Sequence, residues 1–355
     1  MSGLVAPMLL RTPSTRRSDN LFGMSRDILI LREADIRALL DPAACLDAVE
    51  RAFTAYSTAQ AQLPAVIALD IAESRGEIHM KAGHLRNGPY YAIKIISGFW
   101  DNPQLGLPAL NGMVVVFDAR TGAPAAFLLD NGFITDLRTG AAGAVAAKHL
   151  ARKDVGTVAV IGSGVQAKRQ VEMLALVRGF REVRVWGRNP TKARACADDL
   201  GKHPGIPACH FAVPGSVQQA VENADLIFTA TSTREPLVRA EWLKPGVTII
   251  AVGSDGPEKQ ELDIDVLARA DKIVADSLPQ CLRLGEIHHA VEAGAITREK
   301  VIELGEITSG LKPGRTSEDE IIVCDLTGVG VQDVAAATVI MERAKAAGRG
   351  EKIAI

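Results

Sequence analysis

The sequence predicts an α/β protein in two parts: a region of α+β character, followed after about residue 144 by a doubly wound parallel sheet. Three observations predict this. Short, wholly apolar runs recur at 157–161, 226–229, 247–252 and 272–275, with longer helical or loop stretches between them, the alternation of a parallel sheet with crossover helices. Before residue 130 the strand-like segments follow one another with few helices between, which suits an antiparallel or mixed sheet. The chain is 47% hydrophobic but only 4% aromatic, with 32 glycines. Small apolar residues of this kind let helices pack closely on buried strands.

A length of 355 residues corresponds to about two domains. The 40 basic and 42 acidic side chains leave a net charge of -2, without the basic excess of a nucleic-acid binder. No apolar run reaches the roughly 18 residues that would span a bilayer. The five cysteines, Cys45, Cys196, Cys209, Cys281 and Cys324, are odd in number and form no C-x-x-C pair. That argues against a disulfide framework or zinc site and for a reducing, cytoplasmic compartment. Residues 1–24 carry Pro7, Pro13 and a run of Thr, Ser and Arg. They read as a flexible extension rather than a secretory leader, with Met24 an alternative start.

In chain order, residues 27–31 form a strand, and 35–40 and 42–56 have helical spacing, with Leu46, Val49, Phe53 and Tyr56 on one face. Strands are expected at 64–71, 78–81, 90–97 and 111–118, with a hairpin at 118–122 leading into 124–130. Residues 135–150 are a small-residue helix. The run 157–161 enters Gly162-Ser163-Gly164-Val165-Gln166-Ala167 and a helix reaching Val177. A strand at 320–324, a glycine-rich turn and a helix over 332–346 close the chain.

The pattern G-x-G-x-x-A at 162–167 follows a strand and opens a helix, the context of a dinucleotide cradle. Gly162 permits the tight turn, Gly164 admits a pyrophosphate to the backbone, and Ala167 lets helix and strand pack. Val165 and Gln166 present the first helical N–H groups. The structural alternative is a packing turn. The next strand ends in Trp186-Gly187-Arg188-Asn189 without the acid that would bind an adenosine ribose. Arg188 there favours the 2′-phosphate of NADP(H) over NAD(H), which remains the alternative.

Lys94 interrupts the apolar strand 90–96, and Lys81 does the same in Ile78-His79-Met80-Lys81. Lysine is rarely buried unpaired, so each either snorkels at an edge or meets an anion. Arg138, among small residues at a helix start, calls for an anion that Asp136 or a carboxylate ligand would supply. Asp255 follows the strand 247–252, where ligands of parallel sheets gather, unless it only shapes a turn. His288-His289 lacks metal spacing and is expected on a helix surface. No metal site is predicted.

Together these segments resemble the ornithine cyclodeaminase/μ-crystallin family over about 28–346. The anchors are the Lys94 strand, Thr135-Asp136-Leu137-Arg138-Thr139-Gly140-Ala141-Ala142, the 162–167 turn, Ala251-Val252-Gly253-Ser254-Asp255 and Gly328-Val329-Gly330-Val331-Gln332-Asp333. The resemblance implies a Rossmann-type domain (144–320) inserted into a substrate and dimerisation domain (25–143 plus 321–350), and a homodimer. It implies Lys94 and Arg138 on a substrate carboxylate, with Lys94 close enough to donate a proton and Asp255 handling the nitrogen's proton. Thr139 would lie near the nicotinamide, and Thr231, Gly253 and Val329 complete the expected cofactor contacts.

Two departures matter. Val66 stands where many members have a carboxylate-gripping Arg, and His79-Met80-Lys81-Ala82 replaces the cyclodeaminase Glu-Leu-Met-Pro. Lys81 and His79 are the substitute substrate contacts. Similarity to the ectoine-utilisation branch points to amino-acid or ectoine-type catabolism. The expected activity is NAD(P)(H)-dependent oxidoreduction of the C–N bond of a small α-imino or α-amino acid. The alternatives are a redox-neutral cyclodeaminase with bound NAD and a non-catalytic NADP-dependent binding protein.

Overall fold

Two sheets of eight strands each organise the chain, and the computed structural model describes residues 27–354 of it. The extension expected over 1–24 lies outside the described residues. The first sheet runs Glu351–Ala354, Asp27–Arg32, Pro124–Leu129, Leu110–Asp118, Tyr90–Phe99, Gly76–Leu85 and Ala61–Gln62, with Ile67–Ile71 also paired to Gly76–Leu85. Its pairs are antiparallel except Asp27–Arg32 with Pro124–Leu129. The mixed sheet expected from the strand succession is therefore present. The hairpin turn is tied by Asp118, whose carboxylate accepts the Arg120 and Thr121 N–H groups. Of residues 64–71, expected as one strand, only Ile67–Ile71 is paired; Pro64, which has no N–H to donate to a ladder, stands in the gap after Ala61–Gln62.

The second sheet is wholly parallel: His210–Ala212, Glu182–Trp186, Thr157–Ile161, Leu226–Thr229, Thr248–Ala251, Ile322–Asp325, Lys272–Ala275 and Val301–Glu303. Ile322–Asp325 pairs with strands on both sides, so the chain turns back toward the first sheet after Asp325 and not at 321. The reason is burial. Ile322, Val323 and Cys324 are inaccessible to solvent, and only an interior strand of a covered sheet hides both faces of such a run.

Helices Pro42–Ser57, Phe133–Leu150 and Gly330–Ala347 pack together between the layers. Asp41 caps the first of them, accepting the Ala44 N–H at 2.9 Å, and Pro42 occupies the first turn. The small residues of Phe133–Leu150 are explained by the helix beside it, Val165–Leu174. A Cβ on Gly140 would stand 2.9 Å from the Arg169 carbonyl oxygen, and one on Gly143 would overlap the Gln170 amide. At the start of the last helix, a Cβ on Gly330 would overlap the Ala82 carbonyl. That last approach brings the start of Gly330–Ala347 against the strand that carries Lys81.

Candidate active site

Strands Gly76–Leu85 and Tyr90–Phe99 pair with Lys81 directly opposite Lys94. Alternation puts His79, Lys81 and Gly83 on one face. That face looks at the last helix, since a Cβ on Gly83 would meet Val334 and the Gly330 carbonyl carbon at 3.2 Å. Lys94 is 2% exposed, Lys81 6% and Arg138 4%. Three buried cations thus converge from two strands and one helix.

Their protein counter-ion is Asp333, itself buried. Its Oδ1 accepts from Arg138 Nε at 3.1 Å, and its Oδ2 lies 3.4 Å from Lys94 Nζ. Arg138 Nη1 also donates to Gln332 Oε1 at 2.8 Å. The anion expected for Arg138 is therefore Asp333 and not Asp136, whose carboxylate instead accepts from Gln166. Lys81 forms no ion pair among the described residues and donates to the carbonyls of Thr327 (3.1 Å) and Gly328 (2.7 Å).

Burial and the neighbouring Arg138 lower the Lys94 ammonium to about 7, against the pull of Asp333. The same two causes lower Lys81. Burial pushes the Asp333 carboxyl up, but Arg138, Lys94 and Lys81 outweigh it and hold it below the usual carboxylate range. Burial drives Asp136 up to about 6. Among the described residues Asp333 pairs with two of these three cations, Lys94 and Arg138.

The acidic end of the site lies at the carboxyl end of Thr248–Ala251. Asp255 pairs with Lys259 at 2.7 Å, and Lys259 lies 3.9 Å from Glu77, as does His79. Burial works to raise the Asp255 carboxyl, yet Lys259 and Lys81 hold it low. Burial lowers the His79 imidazole, against the attraction of Asp255. Near neutrality the arrangement is an ionised Asp255 beside a neutral His79. The strands and helices thus bring together all five residues proposed for substrate and catalysis: Lys94, Asp255, Arg138, Lys81 and His79.

The glycine turn has the geometry of a cradle. Gly162 has φ +136°, and a Cβ there would stand 2.5 Å from the Ala230 carbonyl oxygen. Around Gly164 no atom lies within 4 Å of a Cβ position, so its backbone is open to a phosphate. Ala167 is buried behind it. Gln166 Nε2 approaches the Asp136 backbone and side-chain oxygens at 3.4 Å, linking the cradle to the helix that bears Arg138. Gln170 Nε2 donates to the Thr139 carbonyl, tying Thr139 to the same seam.

Arg188 is exposed just beyond the second strand, without a hydrogen-bonding or ion-pair partner among the described residues. Asn189 caps the following helix by accepting the Lys192 N–H at 3.1 Å. Val329 is packed in the core and offers the cleft no side-chain surface.

The sequence reading did not single out Glu261, a buried carboxylate that fastens neighbouring strand ends. It accepts from Thr229 Oγ1, Thr231 N, Thr231 Oγ1 and Gly253 N at 2.6–2.8 Å. Burial pushes it up to about 7 against those four bonds. Thr231 and Gly253 are thereby fixed just past the carboxyl ends of Leu226–Thr229 and Thr248–Ala251. Gln332 and Asp333 were visible only as part of a motif. The signal that finds them is the one used for Arg138, a charge among small residues at a helix start. His288 is a correction. It is buried and not on a helix surface, with its ring nitrogens against the Gly285 and Pro257 carbonyls, which hold the Asp255 loop. No cluster able to hold a metal ion occurs among the described residues.

A parallel sheet with a glycine cradle at its first strand end, facing a cation pocket built by a second sheet, defines a dinucleotide-binding protein of the Rossmann type. The chain belongs to the ornithine cyclodeaminase/μ-crystallin family, whose model matches residues 26–348. An uncharacterized cyclodeaminase of Sinorhizobium fredii is 45% identical over 89% of this chain and 96% of its own. Among solved structures, an archaeal alanine dehydrogenase dimer with bound NAD is 36% identical, with a TM-score of 0.85 over 92% of this chain and 99% of that one. The Δ1-pyrroline-2-carboxylate reductase of Thermococcus litoralis, in complex with NADH and L-proline, is 32% identical. Its TM-score is 0.86 over 92% of this chain and 100% of that one.

Proposed function

We propose that this protein catalyses the nicotinamide-dependent reduction of the C=N bond of a small α-imino acid, or the reverse oxidation of the α-amino acid. The observation that carries the reading is the surplus of buried positive charge: Lys94 and Arg138 pair with the one carboxylate of Asp333, and Lys81 beside them forms no ion pair among the described residues. Buried charge is costly unless paired, and a substrate carboxylate supplies the missing partner. The reductase and dehydrogenase likenesses support the same reaction class.

The glycine cradle Gly162–Ala167 would hold a nicotinamide dinucleotide, which would supply hydride chemistry at the substrate α-carbon. Arg138 and Lys94 hold the carboxylate and so fix that carbon; such positioning accounts for a large part of a bimolecular barrier. Carboxylate binding stabilises the Lys94 ammonium, which stands ready to give a proton. Asp255 holds the substrate nitrogen's proton in the reductive direction and removes it in the oxidative one. Lys81 and His79 line the face between these poles.

In this reading residues 144–320 with the strand Ile322–Asp325 bind the dinucleotide, while 25–143 and the chain after Asp325 to residue 350 bind substrate and form the dimer. Exposed Ile67, Leu69 and Met113 on the first sheet and the dimeric alanine dehydrogenase likeness support a homodimer. The unpaired Arg188 supports NADP(H) as the preferred cofactor. A role in amino-acid or ectoine-type catabolism rests on motif likeness alone. No helix of the described residues is long and apolar enough to cross a membrane.

The test follows nicotinamide absorbance with NADPH or NADH and a panel of imino acids: pyruvate, glyoxylate or oxaloacetate with ammonia or methylamine, and pyrroline-2-carboxylate. Net oxidation that disappears in Lys94→Ala supports the proposal. Ammonia release from ornithine with catalytic NAD and no net oxidation replaces it with the cyclodeaminase reading.

A further inference from the structure

Lys81 is held unusually for a buried lysine. It faces Lys94 across the strand pair and Arg138 from the helix, yet two main-chain carbonyls, of Thr327 and Gly328, take its hydrogen bonds. Like charges directly opposite on a sheet repel, so the ammonium stays in place only if those carbonyls do. They lie in the turn between Ile322–Asp325 and the last helix, where Gly328 has φ +81°. Glycine adopts that conformation without strain, so what holds the turn in place is its hydrogen bonding.

Asp276, fully buried just past Lys272–Ala275, fixes it. One carboxylate oxygen accepts the Gly328 N–H at 2.7 Å, and the other accepts the Thr327 hydroxyl at 3.0 Å. Gln280 completes the fastening, donating to Thr327 Oγ1 at 2.8 Å and to the Gly328 carbonyl at 3.1 Å. The Asp276 carboxylate thus orients both residues whose carbonyls grip Lys81, although it makes no hydrogen bond to Lys81 itself.

We infer that Asp276 is a positioning residue that acts through the Thr327–Gly328 turn to set the Lys81 ammonium for the substrate. That Lys81 meets substrate rests on the function proposed above; the clamp itself does not. Asp276→Ala removes both acceptors and leaves a buried N–H without a partner, an expensive loss. Asp276→Asn keeps one acceptor and is expected to restore part of the effect.

Two readouts test this. The first is KM for the imino acid in wild type, Asp276→Ala, Lys81→Met and the double variant, with dinucleotide affinity measured alongside. Asp276→Ala should raise KM on the order of tenfold, the size of a disturbed charged hydrogen bond. It should add nothing in the Lys81→Met background and leave dinucleotide affinity unchanged. The second is trace acetylation read by mass spectrometry, in which Lys81 should label several-fold faster in Asp276→Ala and also faster in Thr327→Val, which keeps the Asp276 charge that attracts Lys81 directly, while Lys94 does not change.

Unchanged Lys81 labelling, or a KM effect that adds fully to that of Lys81→Met, overturns the inference. Faster Lys81 labelling in a protein whose wild type neither binds nor reduces any imino acid leaves the clamp standing and removes the proposed reaction. If Asp276→Ala does not fold, Thr327→Val takes its place, since it removes the hydroxyl link alone and carries the same two expectations at smaller size.

Discussion

Replacing Lys94 by methionine keeps the length and apolar stem of the side chain and removes the charge. In the ligand-free protein, burial and Arg138 bring the ammonium from 10.5 to about 7. That difference corresponds to a penalty of about 5 kcal/mol on the charged form. A carboxylate arriving beside Lys94 offsets part of the penalty, so the ammonium is more favoured in the complex than in the free enzyme. Two pH profiles should therefore differ. The kcat/KM profile, which reports the free enzyme, should fall about tenfold per pH unit above roughly pH 7. The kcat profile, which reports the complex, should fall only at higher pH.

In Lys94→Met the descending limb near 7 should vanish and kcat/KM should drop about 10²- to 10⁴-fold, the range for a lost general acid, with dinucleotide affinity retained. Stability offers an independent check with a definite sign. A lysine lowered in the folded state binds fewer protons there than in the unfolded chain, so stability rises with pH from about 7 toward 10.5. Urea melts at several pH values should show that gain in wild type and not in Lys94→Met. Turnover within a few-fold of wild type, or a limb near 7 that survives the substitution, refutes the reasoning.

Asp333→Asn removes the counter-ion of Arg138 and Lys94 and should cost about 3–5 kcal/mol in urea unfolding, with weaker destabilisation when a carboxylate substrate is present. The two cradle glycines should separate. Gly164→Val meets open space, so it should leave the melting temperature nearly unchanged and weaken dinucleotide binding at least tenfold in fluorescence titration. Gly162→Ala, at φ +136° and against the Ala230 carbonyl, should destabilise the fold itself. Arg188→Ala should raise KM for NADPH about tenfold or more and leave NADH unaffected. Equal effects on both cofactors would remove the NADP preference.

Periodicity and turn chemistry made most of the fold legible. The parallel sheet, the hairpin around 118–122 and the glycine cradle follow from runs of residues close in sequence. What sequence did not reveal is non-local. Arg138 and Asp333 are 195 positions apart, and neither carries a local sign of the other. Ile322–Asp325 reads as an apolar run whichever sheet it joins; its place depends on which neighbours need covering. The edge strand Glu351–Ala354 is exposed throughout and has no alternating pattern to mark it. Glu261 was passed over, and His288 was placed on a helix surface, for a related reason. Each sits in a polar loop or helix segment, and only the folded chain brings backbone donors or carbonyls to it.

The order of synthesis gives the late position of Asp333 a further meaning. Lys94 and Arg138 leave the ribosome nearly two hundred or more residues before the carboxylate that pairs with them, and Lys81 before the turn whose carbonyls hold it; the edge strand beside Asp27–Arg32 follows later still. The parallel-sheet unit can fold as it emerges, as domains generally do. The first layer must wait, with three cations unpartnered, until the last helix arrives. Released chains truncated before residue 330 should therefore resist proteolysis across 157–325 and remain cleavable across 76–118.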